Sequence, residues 1–463
     1  MRIYNTLSRA VEEFQPMNPP TVNMYCCGPT VYDYTHIGHL WKYTWDDVVR
    51  RTLTLMGYEV KHVMNITDVG HLVSDADEGE DKLEKGARKT GKTVWEVANY
   101  YTDYFNEAIR SMGISPPHMV CKATEHISQM IALIQTLEKR GYTYATDEAI
   151  YFDTSKFEGY GKLAGQKLNE KRQAVRAEVQ TDAHKKNPHD FALWFRRVGR
   201  FQDHTMHWQS PWGDGFPGWH IECSAMSMHH LGPQLDIHTG GIDHISVHHP
   251  NEIAQSEGAT GKKPFVKYWV HYNFVQIEGQ KMSKSLENFI TLNDIVSKGF
   301  HPHALRLLFL QSHYRSELNF TWNALEASQK ALEKLQDAHA ALPARINQHD
   351  SFHPLAQEVK DTLAQDFNTA KALATVWSAV KDPALDVQTK RDVLDTANDV
   401  FGLALSKDDV ENVPETVVSL AKKRAQAKKQ GDFATADALR FQINEAGYDV
   451  KDGKVGAYTL HKK

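Results

Sequence analysis

The sequence has few cysteines, no long apolar run and no excess of positive charge. Four cysteines in 463 residues are too few for the disulfide framework of a secreted domain, so we expect reduced thiols or metal ligands in a cytoplasmic protein. We expect no membrane-spanning helix, and the opening stretch MRIYNTLSRAVEEF predicts no signal peptide. The formal charge of −5 argues against a broadly basic protein.

The charge is distributed unevenly along the chain. Residues 413–463 carry ten Lys or Arg and six Asp or Glu, a net charge of +4, which leaves −9 for the rest. A basic C-terminal module favours contact with a polyanion, although an ordinary solvated helix face explains the same charges. Histidine is frequent, with 25 in the chain, and 12 of them lie between His184 and His271, which favours a metal or phosphate site.

The order of apolar segments predicts an α/β region. Residues 21–28 are typical of a strand, residues 37–57 of a helix and residues 59–68 of a second strand. Such a βαβ unit predicts a parallel sheet with ligands at the carboxyl ends of its strands. The later segments predict charged helices (71–112), an irregular insertion (115–225), strands (235–241 and 267–277) with a helix between them, and helices of a bundle (325–342, 353–365 and 368–382).

A His-x-Gly-His motif, residues 36–39, follows the first predicted strand. Gly38 lets a ligand approach the backbone closely, and a helix that begins here offers free N–H groups and positive potential to a phosphate. His36 and His39 lie one turn apart, so both imidazoles can donate to the phosphates of a nucleotide. A four-residue match also arises by chance, so the motif gains weight from its place between strand and helix.

The sequence Lys-Met-Ser-Lys-Ser, residues 281–285, follows the last predicted strand. Lys281 and Lys284 with the neighbouring serines make a cationic loop suited to a departing pyrophosphate, although exposed lysine–serine turns are common. In this order across an α/β region, the two motifs resemble those of the class I aminoacyl-tRNA synthetases. That resemblance implies a Rossmann-type domain that activates an amino acid with ATP and Mg²⁺.

Four dispersed residues have the chemistry of a zinc site. Cys27 ends the first predicted strand, Cys223 lies in GWHIECSAM, and His248 and Glu252 are four residues apart in HHPNEIAQS. Positions i and i+4 share a helix face, so this imidazole and carboxylate can bind one ion. Two thiolates, one imidazole and one carboxylate suit Zn²⁺. Without the two nucleotide motifs, buried structural cysteines and a surface histidine would explain the same residues.

The pattern as a whole resembles the cysteinyl-tRNA synthetases. The resemblance covers almost the full chain and is carried by MYCCGPTVYD, NITD, KKNPHDFALW, PGWHIECSAM, DIHTGGID, HHPNEIAQ, KMSKSLENF and HYRSELNFTW. It implies one zinc ion per subunit, held by Cys27, Cys223, His248 and Glu252, and an ATP-binding lysine at Lys284. It also implies that L-cysteine is activated with ATP and transferred to the terminal adenosine of tRNA-Cys.

The resemblance implies an α/β fold with a Rossmann-type catalytic domain, an all-α helical bundle and a small anticodon-binding domain. The predicted boundaries are 1–114 and 226–290 for the two catalytic halves, 115–225 for a connective insertion, 291–322 for a stem-contact region, 323–405 for the bundle and 413–463 for the C-terminal domain. A monomer is also expected.

The family motifs imply further site residues in the catalytic region. Thr30, Asn65 and Thr67 match positions that line the aminoacyl-adenylate. Gly241 and Asp243 are expected to bind ATP together with Gly38, Gly241 through close approach to the backbone and Asp243 through a ribose hydroxyl. Trp219 resembles an aromatic lid over the bound cysteine, although a core tryptophan is the alternative.

The C-terminal residues resemble the anticodon-recognising domain of the family. Phe433 matches a position where an aromatic side chain can stack on a base. Lys428, Asp437 and Asp452 occupy neighbouring polar positions that can bind base edges. The tRNA is therefore an expected partner.

The neighbours Cys26 and Cys27 point to opposite faces of a strand, so only one of them can face the site. The resemblance assigns that role to Cys27 and leaves Cys26 as a small buried residue that tolerates Ser or Ala. A Zn²⁺ ion that binds the substrate thiolate would reject serine, which an ordinary pocket discriminates weakly. A closed structural zinc site is the competing interpretation.

Three other functions fit parts of the pattern. The cysteine ligase of mycothiol synthesis activates cysteine in the same way but passes it to an amino-sugar and lacks the anticodon module, so residues 413–463 argue against it. A catalytically idle tRNA-binding protein would not need both nucleotide motifs and the zinc residues. An adenylyltransferase of the His-x-Gly-His type leaves the zinc residues and the basic tail unexplained.

Overall fold

The computed structural model describes residues 1–70, 72–74, 78–165, 184–282, 288–343, 353–405, 415–429, 432–452 and 458–462. The chain divides into two units, Met1–Leu403 and Ala404–Lys463. Within the described ranges, no helix combines the length and the apolar character needed to cross a membrane.

A parallel five-stranded sheet forms the centre of the larger unit. Three of its strands come from the N-terminal part of the chain, whose elements are β1 (Arg2–Asn5), β2 (Ala10–Glu13), β3 (Thr21–Cys26), α1 (Ile37–Leu55), β4 (Glu59–Ile66), β5 (Leu72–Ser74), β6 (Glu78–Asp81), α2 (Lys82–Thr90), α3 (Val94–Ser111) and β7 (Met119–Lys122). β3 pairs with β4, and β4 pairs with β7, in parallel. Since β7 lies beyond residue 114, this sheet extends past the predicted start of the insertion.

The next part of the chain contains an antiparallel sheet where an irregular insertion was expected. Its elements are α4 (Ile127–Lys139), β8 (Thr143–Ala145), β9 (Ala149–Phe152), β10 (Phe191–Arg196), β11 (Trp208–Ser210) and β12 (Gly213–Pro217). The strand order is β11-β12-β10-β9-β8. Every residue of β9 is buried, as is nearly every residue of β10. Strands buried on both faces lose the alternation of apolar and polar residues, which explains why the sequence pattern missed them.

The second half of the parallel sheet completes the α/β arrangement. Its elements are α5 (Trp219–Leu231), β13 (Leu235–Gly241), α6 (His248–Thr260) and β14 (Val266–Tyr272). β13 pairs with β3, which gives the strand order β14-β13-β3-β4-β7. The chain therefore leaves β3 towards one edge of the sheet and returns on its other side. Ligands of open α/β sheets bind at such a reversal, beside the carboxyl ends of the strands.

Helices follow the sheet, as the sequence predicts. The remaining elements of the larger unit are β15 (Val275–Ile277), β16 (Gln280–Lys281), α7 (Leu292–Ser297), α8 (Pro302–Leu310), β17 (Leu318–Phe320), α9 (Trp322–Ala340), α10 (Pro354–Leu363), α11 (Thr369–Lys381) and α12 (Val387–Phe401). The α/β architecture and the helical bundle are thus confirmed, whereas Leu72–Ser74 and Glu78–Asp81 form the antiparallel pair β5 and β6 instead of helix.

A buried ion pair connects these helices to the sheet domain. Asp47 on α1 accepts from Arg306 on α8 at 2.5 Å and from Arg51 at 2.8 Å. Arg306 also donates to the carbonyl oxygens of Phe401 and Met112, and its side chain is fully buried. Three helices and the end of α3 therefore meet at one charged group.

The smaller unit consists of α13 (Glu415–Lys429), α14 (Phe433–Glu445) and the antiparallel strands β18 (Tyr448–Asp452) and β19 (Tyr458–Lys462). Its core is a small cluster of buried side chains contributed by Val417, Ala421, Ile443, Tyr448 and Val450.

Candidate active site and metal centre

A cavity of about 640 Å³ opens at the carboxyl ends of β3 and β13, where the strand order reverses. Most residues that the sequence assigned to a site lie on its wall. They are Cys27, Thr30, His36, Gly38, His39, Asn65, Thr67, Trp219, Cys223, Gly241, Asp243, His248 and Lys281. Residues more than 250 positions apart in the sequence therefore contribute to one site.

The two signature histidines lie at the start of α1. His36 is the N-cap residue, and its Nδ1 accepts hydrogen bonds from the backbone N–H groups of Gly38 at 3.1 Å and His39 at 3.3 Å. Its Nε2 therefore carries the ring proton. The imidazole of His39 stacks on that of His36, with ring centroids 3.6 Å apart. The helix start thus presents the Nε2–H of His36 and the positive end of the helix dipole to the cavity, whereas the backbone N–H groups of residues 37–40 already donate within the protein.

Burial keeps both imidazoles neutral. Burial and the neighbouring His39 lower the pKa of His36 to about 2. Burial lowers the pKa of His39 to about 4, although Asp243 acts in the opposite direction. At neutral pH these side chains therefore act on a phosphate as hydrogen-bond donors without a net charge.

The loop after β3 is held against the end of β4. The backbone N–H of Gly28 donates to Asn65 Oδ1 at 2.7 Å, and Asn65 Nδ2 donates to Thr67 Oγ1 at 3.0 Å. A Cβ atom at Gly28 would lie 1.5 Å from the carbonyl oxygen of Asn65, so only glycine fits here. Thr67 in turn donates to Glu222 Oε2 at 3.0 Å. Asn65 and Thr67 thus fix the shape of the cavity wall as well as lining it.

The four predicted metal ligands form one buried cluster. One ligand atom each from Cys27, Cys223, His248 and Glu252 lies within 4.8 Å of all the others. Glu252 Oε1 is 3.1 Å from His248 Nε2, yet it makes no hydrogen bond. A buried carboxylate oxygen without a hydrogen bond raises the free energy of the folded state unless a cation fills the space between it and the imidazole. Two sulfurs, one nitrogen and one oxygen fit Zn²⁺.

The protonation of the cluster also suits a cation. A hydrogen bond with Cys27 lowers the pKa of Cys223 to about 6, while burial raises the pKa of the Cys27 thiol. Burial alone would raise the pKa of Glu252, but His238 and His248 outweigh it and lower that pKa to about 2. Although burial acts in the opposite direction, Cys223 and Glu252 raise the pKa of His248 to about 10. The cluster therefore holds a thiolate, a carboxylate and an imidazolium at neutral pH, and a bound metal ion would displace the imidazolium proton as well as the remaining thiol proton.

A second grouping shares two of these ligands. Ligand atoms of Cys27, Glu252, His238 and His249 also lie within 4.8 Å of one another. However, Cys27, Cys223 and His248 face the cavity, whereas His238 and His249 do not contribute to its wall. His238 Nε2 is hydrogen-bonded to Glu252 Oε2 at 2.9 Å. We therefore assign His238 and His249 to the support of the ligands, which metal sites in proteins generally require.

These supporting histidines were not identified from the sequence. Behind the cluster, His249 Nε2 lies 3.4 Å from Cys27 Sγ, and His249 Nδ1 lies 2.7 Å from His271 Nε2. His271 completes the chain with a hydrogen bond to Thr6 Oγ1 at 2.8 Å. Burial lowers the pKa of His249 and His271 well below the usual value, so both are neutral. The high density of histidines between residues 184 and 271 was the available signal.

The remaining predicted residues surround the same cavity. The ring of Trp219 packs on that of His248 with centroids 4.2 Å apart, which places it over the metal cluster. Asp243 is about half exposed beside Gly241, with room for a solvent-accessible ligand. Cys26 is fully buried next to Thr239 and Asp46 and takes no part in the cluster, as predicted.

The His-x-Gly-His motif packs against the segment that follows the Lys-Met-Ser-Lys-Ser motif, and Lys281 and Met282 of the latter border the same cavity. The backbone N–H of Ile37 donates to the carbonyl oxygen of Ile290 at 2.9 Å, and the rings of His36 and Phe289 are 5.0 Å apart. Lys281 is exposed at the end of β16 and borders the cavity. Lys284 lies outside the described residues.

The predicted tRNA-binding residues lie on the smaller unit. Phe433 begins α14 with 63% of its side chain exposed, and Asp437 is exposed one turn later. Phe441, a further turn along, is 65% exposed, so these three side chains share one helix face. Lys428 lies near the end of α13 and Asp452 ends β18.

Comparisons with known proteins agree with this site. Residues 13–330 match the family of class I (C) tRNA synthetase catalytic domains. The chain is 41% identical to cysteine–tRNA ligase of Treponema denticola, with 100% of this chain and 99% of the relative aligned. It is 42% identical to cysteine–tRNA ligase of Chlorobaculum tepidum, again over 100% and 99%.

Solved structures show the same fold at low identity. Methionyl-tRNA synthetase of Mycobacterium tuberculosis in complex with methionyl-adenylate superimposes with a TM-score of 0.52 at 15% identity, covering 90% of this chain and 96% of that one. A leucyl enzyme, LeuRS of Agrobacterium radiobacter in a ternary complex with tRNA, gives a TM-score of 0.59 at 13% identity, covering 86% and 85%.

Proposed function

This chain belongs to the cysteine–tRNA ligases, which are class I aminoacyl-tRNA synthetases, and from that membership we propose how its residues divide the work. It joins L-cysteine to tRNA with the consumption of ATP. The alignment to its relatives includes the basic C-terminal unit, which argues against the amino-sugar ligase. The signature histidines and the metal cluster argue against an idle tRNA-binding protein. The observation that carries the proposal is that the signature histidines, Lys281 of the second motif and the two thiols of the metal cluster all line one cavity.

In the first step, the cysteine carboxylate attacks the α-phosphate of ATP in line with the departing pyrophosphate. His36 and His39 donate hydrogen bonds to the phosphates as neutral imidazoles, and the positive end of the dipole of α1 adds to this. Lys281 and Lys284 stabilise the charge on pyrophosphate, with Mg²⁺ accompanying the nucleotide. No covalent enzyme intermediate is required, because positioning and electrostatics lower the barrier.

In the second step, the 2′-hydroxyl of the terminal adenosine of tRNA attacks the adenylate carbonyl. We assign the adenosine of ATP to the wall formed by Gly38, Gly241 and Asp243, and the aminoacyl part to Thr30, Asn65 and Thr67. Asp243 is accessible and carries a carboxylate able to accept a hydrogen bond from ribose. Trp219 covers the side of the pocket nearest the metal cluster and excludes water from the cysteine side chain.

Selection of cysteine over serine is assigned to the metal cluster. Cys27, Cys223, His248 and Glu252 would hold a Zn²⁺ ion, which would prefer a thiolate ligand to a hydroxyl group and would lower the pKa of the substrate thiol. Three of these residues face the cavity and Glu252 lies behind them, so the open side of the cluster is directed at the substrate. This arrangement favours a role in recognition over a closed structural site.

The smaller unit is assigned to the anticodon of tRNA-Cys. Exposed Phe433 provides a flat apolar surface on which an unpaired base can stack, and Asp437 on the same face can accept from a base edge. Lys428 and Asp452 complete the proposed contact. A cytoplasmic location and a monomeric state stay predictions from the sequence.

The direct test is charging of purified tRNA-Cys with labelled cysteine or serine. We expect cysteine to be preferred by more than about a hundredfold, because serine offers no thiolate, and we expect a zinc chelator to abolish charging. Circular dichroism of the chelated protein distinguishes loss of recognition from unfolding. Comparable charging with serine would contradict the assigned role of zinc, and cysteine-dependent ATP–pyrophosphate exchange without charging would indicate the amino-sugar ligase.

Replacing Lys284 by alanine is expected to slow adenylate formation far more than it weakens cysteine binding. The lost ammonium group acts on the charge of the departing pyrophosphate, which develops only in the reaction. Single-turnover adenylation and cysteine binding, measured separately, give the comparison, and Lys262→Ala in an exposed loop is the matched control. Equal losses in rate and cysteine affinity would overturn the assignment.

A further inference from the structure

A second group of histidines lies away from the active-site cavity. His126 ends a short 3₁₀-helix, Ala123–His126, that follows β7, and His229 and His230 lie in the last turn of α5. None of the three belongs to the wall of the active-site cavity. The reaction proposed above makes no use of them.

The three imidazoles converge on one point. His126 Nε2 and His230 Nε2 are 2.9 Å apart, and one ring nitrogen of His229 lies within 4.8 Å of both. The ring centroids are 5.6 Å apart for His126 and His229, 5.0 Å for His126 and His230, and 4.8 Å for His229 and His230. Nitrogen atoms bound to a common tetrahedral ion at about 2.0–2.1 Å have similar separations.

A hydrogen bond at Nδ1 of His126 fixes the tautomer in which Nε2 can bind a metal ion. His126 Nδ1 lies 2.7 Å from the carbonyl oxygen of Lys122, which can only accept. The ring proton is therefore on Nδ1, and in the neutral ring the lone pair of Nε2 is directed at His230. Metal-binding histidines in proteins generally have such a backbone carbonyl partner, which fixes the tautomer and the ring orientation.

The environment also favours neutral rings with access from solvent. His126 is 7% exposed, His230 is half-buried and His229 is exposed. Burial and the two neighbouring imidazoles lower the pKa of His230, so its ring is neutral near neutral pH. Its proton then lies on Nε2, which faces His126, and moves to Nδ1 when an ion binds. One side of the group is thus enclosed by protein and the other is open to water.

We propose that His126, His229 and His230 form a second metal site, which takes a divalent transition-metal ion such as Zn²⁺ and leaves the fourth position to water. Three imidazoles suit Zn²⁺, Co²⁺, Ni²⁺ and Cu²⁺ far better than Mg²⁺ or Ca²⁺. The ion joins the last turn of α5 to the segment after β7. Since Cys223 lies on the same helix, the second ion steadies an element that also carries a ligand of the first.

The test counts bound ions in the full, untagged chain. After equilibration with Zn²⁺, we expect two tightly bound ions in the wild type and one in His229→Ala and His230→Gln. The dissociation constant of the second ion should rise by at least about tenfold in either variant. His229 is exposed, so its replacement leaves the core intact, and His184→Ala is the matched control at an exposed histidine outside both clusters.

Cobalt distinguishes the two sites by their ligands. Co²⁺ in the thiolate cluster gives sulfur-to-metal charge-transfer absorption, whereas Co²⁺ bound by imidazoles alone does not. We expect the first equivalent to produce this band and the second to add only ligand-field absorption, which His229→Ala removes. A wild type that retains a single ion, lost on Cys223→Ala and unaffected by the histidine variants, would show that these histidines are merely hydrogen-bonded to one another.

Discussion

We expect cysteine activation to be lost when Cys223 is replaced by alanine. The variant removes the more acidic of the two thiols in the metal cluster and leaves Cys27, His248 and Glu252 with one anionic sulfur fewer for the ion. We expect cysteine-dependent ATP–pyrophosphate exchange to fall by at least about a hundredfold, because loss of a ligand exceeds the 10–100-fold effects of second-shell changes. Metal analysis of the same preparation should show one bound ion fewer.

Cys26, which precedes Cys27 at the end of β3, provides the control for the Cys223 variant. Cys26 is as deeply buried as Cys27 but lies beside Thr239 and Asp46, outside the cluster. Cys26→Ser should therefore retain the metal ion and the exchange activity, since a hydroxyl group finds polar neighbours there. If Cys26→Ser and Cys223→Ala lost activity equally, the loss would reflect disruption of the sheet and not the chemistry of the metal cluster.

The second large effect concerns stability. We expect Asp47→Ala to lower the free energy of unfolding by about 3–5 kcal/mol, because it leaves the fully buried guanidinium of Arg306 without its anion. The same substitution removes the carboxylate that forms an ion pair with Arg51. Chemical denaturation followed by tryptophan fluorescence measures the change, since Trp41 and Trp45 are buried on the same helix.

Two controls test whether the loss of stability comes from the isolated buried charge of Arg306. Glu326→Ala removes the partner of Lys330 on the surface of α9 and should not change stability measurably. The double variant Asp47→Leu with Arg306→Met should recover much of the lost stability, because it removes the isolated charge as well. A loss below about 1 kcal/mol in Asp47→Ala would mean that water reaches Arg306 in place of the carboxylate.

The sequence predicts those parts of the fold in which local pattern and tertiary position agree. The βαβ unit from β3 to β4 was predicted because Gly28 and Gly57 bound apolar segments of the right length and period. The sheet of the insertion was missed because its central strands are buried on both faces. Pairing between β10 and β12 or β9 depends on distant partners, which no local pattern indicates.

The active site likewise contains residues that the sequence pattern identifies and residues that only the folded chain brings together. Cys27, Cys223, His248 and Glu252 were found because their residue types specify metal chemistry and the family motifs specify their positions. The histidines that support them were missed because a buried histidine has no sequence signal apart from its partner. The charge of the signature histidines was equally inaccessible, since the depressed pKa of His36 and His39 follows from burial that only the folded chain creates.

The position of β3 in the sheet has a consequence for synthesis of the protein on the ribosome. β3 pairs with β4 on one edge and with β13 on the other, and β13 is made about 210 residues later. At roughly 5–20 residues per second, the second edge of this central strand stays open for some 10–40 seconds while the intervening residues are translated. During that interval the nascent chain exposes unpaired backbone and apolar side chains, which makes it a substrate for chaperones before it can bind a nucleotide.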